Sequence, residues 1–284
     1  MKISYRILIV NFAIVGLILI SSAIAFYSLI YNVLASQQSK SLLHSVSNFN
    51  SSYRQAMQET EDNFLFLINN KKDYVINNSK LSERSIDFIF KADEKFPNNL
   101  INISSKNLVY VPDKKIDIKE FLEYNPQAVV KIFRTKSGEI YYYGRIITGD
   151  FLSDISKKIG SEIAVIWNNS TAELSNPLAN EKYLFLLNET YDKLSTKKPY
   201  EVYINESNTG DIIAALVKPS GNFEQSNNLK FLIYSTLTEV TDLRSSLLYI
   251  LIIIGIAGII LSLILTFLFT DKIRKHIDYI HLKV

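Results

Sequence analysis

The chain has 284 residues, 31 Lys and Arg against 28 Asp and Glu, and no cysteine. That excludes disulfides, thiol chemistry and a Cys-based metal site. The small positive excess is confined to the chain ends. Outside the two apolar runs described below, six basic residues (Lys2, Arg6, Lys272, Arg274, Lys275, Lys283) face two acidic ones (Asp271, Asp278), while the middle holds 25 basic against 26 acidic. A neutral middle carries no nucleic-acid footprint, so no nucleic-acid partner is expected.

From the N-terminus, Ile7 to Ile30 carries no charge, and neither does Ser245 to Thr270. Each is long enough for a helix to cross a hydrocarbon core of about 30 Å, which takes roughly 20 apolar residues. Met1 to Arg6 with Ala23-Ile24-Ala25 also has the form of a signal peptide. The apolar stretch continues past that site through Phe26, Tyr27, Leu29 and Ile30, which favours an uncleaved anchor. Positive residues next to the spans place both termini in the cytoplasm. The expected division is a cytoplasmic N-terminus 1–6, transmembrane helix 7–31, extracytoplasmic domain 32–246, transmembrane helix 247–270 and cytoplasmic stub 271–284. A composition rich in Ile, Asn, Lys, Tyr and Phe reads as bacterial, hence a two-pass protein of a bacterial inner membrane.

Beyond the first run, Leu42, Val46, Phe49, Tyr53, Ala56, Thr60, Phe64 and Leu67 recur at spacings mostly of three and four. No Pro or Gly interrupts Leu17 to Phe96, so one long helix is predicted. Its stripe fits packing on its own domain, the favoured reading, or a homodimer seam. A second helix is predicted over Leu81 to Phe96, ended at Pro97. Strands follow at Asn107 to Val111 and Ala128 to Arg134, and a turn at Lys136 to Glu139 leads into Ile140 to Ile147. Gly149 opens a short amphipathic helix with Phe151, Leu152, Ile155 and Ile159 inward, stopped at Gly160. Ser161 to Trp167 is a strand with a polar turn at Asn168 to Ser170. A helix covers about Asn180 to Leu194. Strands Pro199 to Ile204 and Ile212 to Val217 flank a loop, Asn205 to Asp211. Pro219 to Asn222 is a turn and Gln225 to Asn228 a loop. Leu229 to Thr236 is the last strand, with Thr238 to Ser246 leading into the second run. The expected class is α+β: a long N-terminal helix and one antiparallel, PAS-like sheet domain between two transmembrane helices.

Signatures of catalysis are missing: there is no G-x-S-x-G, H-E-x-x-H, P-loop or post-strand G-x-G-x-x-G. His44, His276 and His281 lack metal-ligand spacing, and Asp150 and Asp154 suit helix capping better than acid–base work. No catalytic residue, metal site or cofactor is expected, and the 14 residues after Thr270 leave no room for a nucleotide-binding domain. A ligand site is the remaining candidate. Tyr141, Tyr143 and Arg145 alternate along one strand, and Trp167 ends a strand taken to be its neighbour. Aromatics around one arginine suit a small anionic or amphipathic ligand; a half-buried sheet with a solvated rim has the same look. In the stub, Ile273, Ile277, Ile280 and Val284 are spaced four, three and four, the start of a heptad seam for signal transmission.

Three passages together resemble the input half of a bacterial sensor histidine kinase with a Cache-like domain. They are Gly144 to Leu152 running on to Ile159 to Val165, the strand Leu229 to Thr236 entering the second run, and Phe269 to Ile277, which is similar to the opening of a HAMP linker. The resemblance implies a transmembrane two-component receptor, a homodimer, that senses a small-molecule or envelope-stress cue and acts on a cytoplasmic kinase or transmitter module. Chemoreceptor or cyclase input, and a membrane-tethered adhesion domain, are the alternatives. It also implies that this sequence is a fragment or needs a partner.

Overall fold

The computed structural model describes residues 2–69, 85–92, 94–95, 99–105, 108, 116–176, 184–195, 200–207, 210–218, 223–225 and 229–281. Two compact units divide the chain: one from the ends, Met1–Gln38 with Leu237–Val284, the other Ser39–Thr236. Helix α1 covers Lys2–Asn69 and α5 covers Thr238–His281. Both are long and apolar enough to cross a membrane, with a mean hydropathy of 3.0 over the most apolar 18 residues of Ser245–Phe269. Within the end unit these two helices touch at Gly258, where a β-carbon would stand 3.1 Å from Leu19 Cδ1. Gly16, Ala23 and Gly255 line a 550 Å³ groove beside that contact.

The other unit is built on two antiparallel sheets. In chain order its elements are β1 (Phe88–Ala92), β2 (Asn99–Ser105), β3 (Ile116–Asp117), α2 (Ile118–Tyr124), β4 (Ala128–Arg134), β5 (Ile140–Ile146) and α3 (Gly149–Ile159). There follow β6 (Glu162–Trp167), β7 (Ser170–Leu174), α4 (Leu184–Ser195), β8 (Val202–Ser207), β9 (Gly210–Val217), β10 (Glu224–Gln225) and β11 (Lys230–Thr236). The first sheet has the order β10-β4-β5-β1-β2-β3 and the second β7-β6-β11-β9-β8. The expected α+β class, with its long N-terminal helix and antiparallel sheet, is what the structure has. One sheet becomes two, however, because β6 pairs with β11 and β7 instead of β5. The two share an arrangement: the entering strand lies beside the last long one, and each of the two has a hairpin-type partner outside it. That repeat is topological only, since no sequence repeat accompanies it.

Each sheet buries both faces. One face of the first carries Phe88, Phe90 and Tyr142 against Phe121 of α2. Its other face carries Ile89, Tyr141 and Tyr143 against Phe64, Leu67 and Ile68 of α1. In the second sheet, Ala164, Ile166, Leu232 and Tyr234 pack on Leu187 and Tyr191 of α4, while Phe231 meets α1 at Phe49 (5.2 Å) and Tyr53 (5.6 Å). The helical stripe is therefore spent on its own domain. Leu42, Val46, Phe49, Tyr53, Thr60, Phe64 and Leu67 are all buried within one chain, which removes them as a homodimer seam. Fully burying each of the larger of these side chains stabilises by about 1.5–3 kcal/mol.

Helix α3 shows how short-range chemistry sets the elements. Thr148 accepts from Phe151 N–H at 3.4 Å as the N-cap. Gly160 stops the helix in the left-handed region, at φ 68°. The four inward residues expected on α3 are the four it buries. Ser45 of α1 holds the same end, donating to Ile159 O at 2.9 Å. Gly160→Ala is expected to lower stability by about 1 kcal/mol, because an L side chain there strains the backbone. Thermal melting followed by circular dichroism measures it; a null effect would mean that the turn is not left-handed.

Several expectations are corrected. The helix foreseen over Leu81 to Phe96 is strand at Phe88–Ala92, because Phe88, Ile89 and Phe90 are all buried and a strand covered on both faces shows no period of two; residues 81–84 lie outside the described residues. The strand over Asn107 to Val111 lies outside them apart from Leu108, as do the turn Pro219 to Asn222 and residues 180–183 of the helix now seen as α4. The loop Asn205 to Asp211 is mostly ladder, with β8 and β9 paired out to Ser207 and Gly210. Gln225, placed in a loop, belongs to β10.

Candidate functional site

Strand β5 is the centre of the candidate site. Its sequence, Ile140-Tyr-Tyr-Tyr-Gly-Arg-Ile146, mixes aromatic and β-branched residues that favour strand. It is hydrogen-bonded on both sides, to β4 and to β1. Alternation puts Tyr141, Tyr143 and Arg145 on one face, as expected, and that face meets α1.

The two tyrosines are packed against protein. Tyr143 is 1 % exposed, and its ring stacks on Phe64 at 3.8 Å with the planes 1° apart. Tyr141 lies 6.3 Å from the same Phe64 ring. Phe223, just ahead of β10, meets Tyr143 edge-on at 6.0 Å. Burial pushes the Tyr143 hydroxyl up from its ordinary pKa, and the carboxylates of Glu61 and Asp62 push it the same way.

Arg145 stands where β5, α1 and α3 come together. Its guanidinium lies 4.7 Å from the centroid of Phe151. Asp87 is the strongest of the acidic groups that favour its charge, followed by Glu59 and Asp154. Burial outweighs them and moves the arginine below its usual range. Asp87, itself buried, accepts from Ile146 N–H at 2.8 Å. Tyr53 faces the same arginine, and burial raises its hydroxyl against the opposing pull of that charge. Arg145 Nε is one of two buried side-chain polar atoms without a hydrogen bond among the described residues; Asn50 Oδ1 is the other. The spare donor of the guanidinium is buried and the acidic groups already stand around it, so an anionic group could bind there only by displacing them.

Trp167 falls elsewhere. It ends β6 in the second sheet, opposite Ser170, so the structure joins three of the four expected ligand residues and separates the fourth. Asp150 and Asp154 lie on α3, Asp154 3.9 Å from Lys157. With Ser153, Lys157, Glu162 and Glu173, Asp150 lines an open polar cleft of 560 Å³. No group of three or more His, Asp or Glu that could hold a metal occurs among the described residues. Ile273, Ile277 and Ile280 fall within α5, and Val284 lies outside the described residues. Asp87 and Phe223 were missed from the sequence: the first fell in a stretch read as helix, the second between a turn and an Asn-rich loop.

No family model and no curated protein sequence matches this chain. Among solved structures, the chain is similar to the sensory domain of the Campylobacter jejuni chemoreceptor Tlp3 with isoleucine bound. The TM-score is 0.38 and the identity 12 %, covering 74 % of this chain and 95 % of that one. It is also similar to the ligand-binding domain of Mlp24 with asparagine, at TM-score 0.33 and 10 % identity, covering 79 % of this chain and 99 % of that one.

Proposed function

We propose that this chain is the input part of a transmembrane receptor, with the two-sheet unit outside and both termini in the cytoplasm. The observation that carries the reading is how the apolar helices relate to the folded elements. Helix α1 is one element from Lys2 to Asn69 and supplies Phe49, Tyr53 and Phe64 to the two sheets. At the other end only Leu237 separates β11 from α5. An adhesion domain that merely hangs from a membrane has no need of such short joints, and a flexible linker would serve it better. The basic residues flanking both runs support the orientation.

In this reading a ligand that uses the Tyr141 and Tyr143 face must displace Phe64 and with it α1. Differential affinity for the two placements of α1 is what would carry the signal. The seam Ile273, Ile277, Ile280 and Val284 passes it to a second copy and to a transmitter module. Chemoreceptor input and histidine-kinase input share all of this.

Full chain in native membranes, carrying Ile273→Cys and Ile277→Cys, tests the relay. Thermal shift against the proteinogenic amino acids and small organic acids selects a stabilising compound. That compound is expected to change the rate of inter-chain disulfide formation threefold or more. An unchanged rate with a stabilising compound sinks the relay, and no cross-link under any condition sinks the homodimer.

A further inference from the structure

The chain between β9 and β11 is longer than its task requires. The two strands are neighbours in the second sheet, with Val217 opposite Phe231. Two to five residues close an antiparallel pair of this kind. Here the twelve residues 218–229 intervene. In their midst Glu224 and Gln225 pair with Val130 and Val129 of β4, and so add an edge to the other sheet.

That edge is attached where the first sheet meets α1. Phe223 sits edge-on to Tyr143, whose other contact is the stacked Phe64 of α1. Lys131 of β4 reaches the Phe223 ring at 5.6 Å and also pairs with Glu61 of α1. One short segment thus touches β4 and β5 directly and α1 through Lys131. Lys230, the first residue of β11, follows Gln225 after four residues.

We propose that β10 is a strap, tying the local stability of the first sheet's β4 edge to β11, the strand that precedes α5. A two-residue ladder and the contacts of one ring, with Tyr143 and Lys131, form a weak attachment, of the kind that opens well below the global unfolding free energy. Closed, it fixes Gln225 on β4; open, it frees Gln225 while both sheets stay folded. The device goes beyond the receptor reading and does not depend on what, if anything, the protein senses.

Hydrogen exchange by mass spectrometry on the full chain in nanodiscs tests it. Val129 and Gln225 are opposed across the ladder, and opposed α-carbons in antiparallel pairs lie within disulfide range. The chain has no cysteine of its own, so Val129→Cys with Gln225→Cys makes a single bond. Oxidation is expected to slow exchange in β11 tenfold or more beyond any slowing in β8 and α4. Phe223→Ala is expected to speed exchange in both β4 and β11 threefold or more. Slowing confined to β4, or uniform across the unit, overturns the strap, as does Phe223→Ala acting on β4 alone. Failure of the two cysteines to bond under oxidising conditions overturns the pairing itself.

Discussion

Gly144→Ala is expected to disrupt the first sheet, lowering the melting temperature of the full chain in detergent by about 6–12 °C. The central strand β5 approaches its neighbours so closely at this residue that a β-carbon would lie 1.8 Å from Val129 O and 2.7 Å from the Phe88 ring. The Val129 oxygen is backbone and cannot swing aside, so the sheet must move, and overpacking of this kind costs about 3 kcal/mol. In a domain of this size each kilocalorie is worth about 2–4 °C. Circular dichroism of the two variants separates this clash from ordinary glycine effects, since Gly160→Ala has open space around its new carbon. Equal losses at the two sites would show that β4 and β5 are not in the register described.

The second large effect is expected at Asp87. Asp87→Ala leaves the buried Ile146 N–H without its acceptor and removes the strongest charge that supports Arg145. Stripping the partner from a half-buried charge, together with an unmet buried N–H, costs about 3 kcal/mol. Asp87→Asn keeps an acceptor and is expected to lose about half as much. Adding Arg145→Met to Asp87→Ala is expected to return at least half of the loss, because a thioether needs no counter-charge and still covers Phe151. Chemical denaturation of these three variants and of Arg145→Met alone measures the coupling. Losses that simply add would mean that Arg145 does not depend on Asp87.

The features legible in the sequence are local. Helix α3 was legible because its opening glycine, its stop and its four apolar positions lie within twelve residues, Gly149 to Gly160. The β4–β5 turn was legible because Gly138 supplies the positive φ of 88° that the turn uses. The alternation of Tyr141, Tyr143 and Arg145 was likewise a property of one strand. Pairing was not. Ile163 finds Ile233 across the second sheet, and nothing in Ser161 to Trp167 names that partner over β5. The separation of Trp167 from the tyrosines follows from that single choice. Asp87 was hidden for another reason: Ile86, Ile89 and Phe90 have helical spacing, and only burial on both faces of β1 shows Ile89 and Phe90 to be strand, with Ile86 just ahead of it. At two residues, β10 is too short to leave any period.

The placement of β10 and β11 also orders events during synthesis. The first sheet lacks its last edge until Glu224 and Gln225 have been made, and the second lacks its central strand until Lys230 to Thr236 have. Both closures are non-local pairings, the slow class of folding step. They fall within the final fifteen residues before Thr238, where the second apolar helix begins. The unit thus completes its two sheets almost together, just ahead of the second apolar helix. Its nascent chain must stay unaggregated with one edge of the first sheet and the centre of the second open until then.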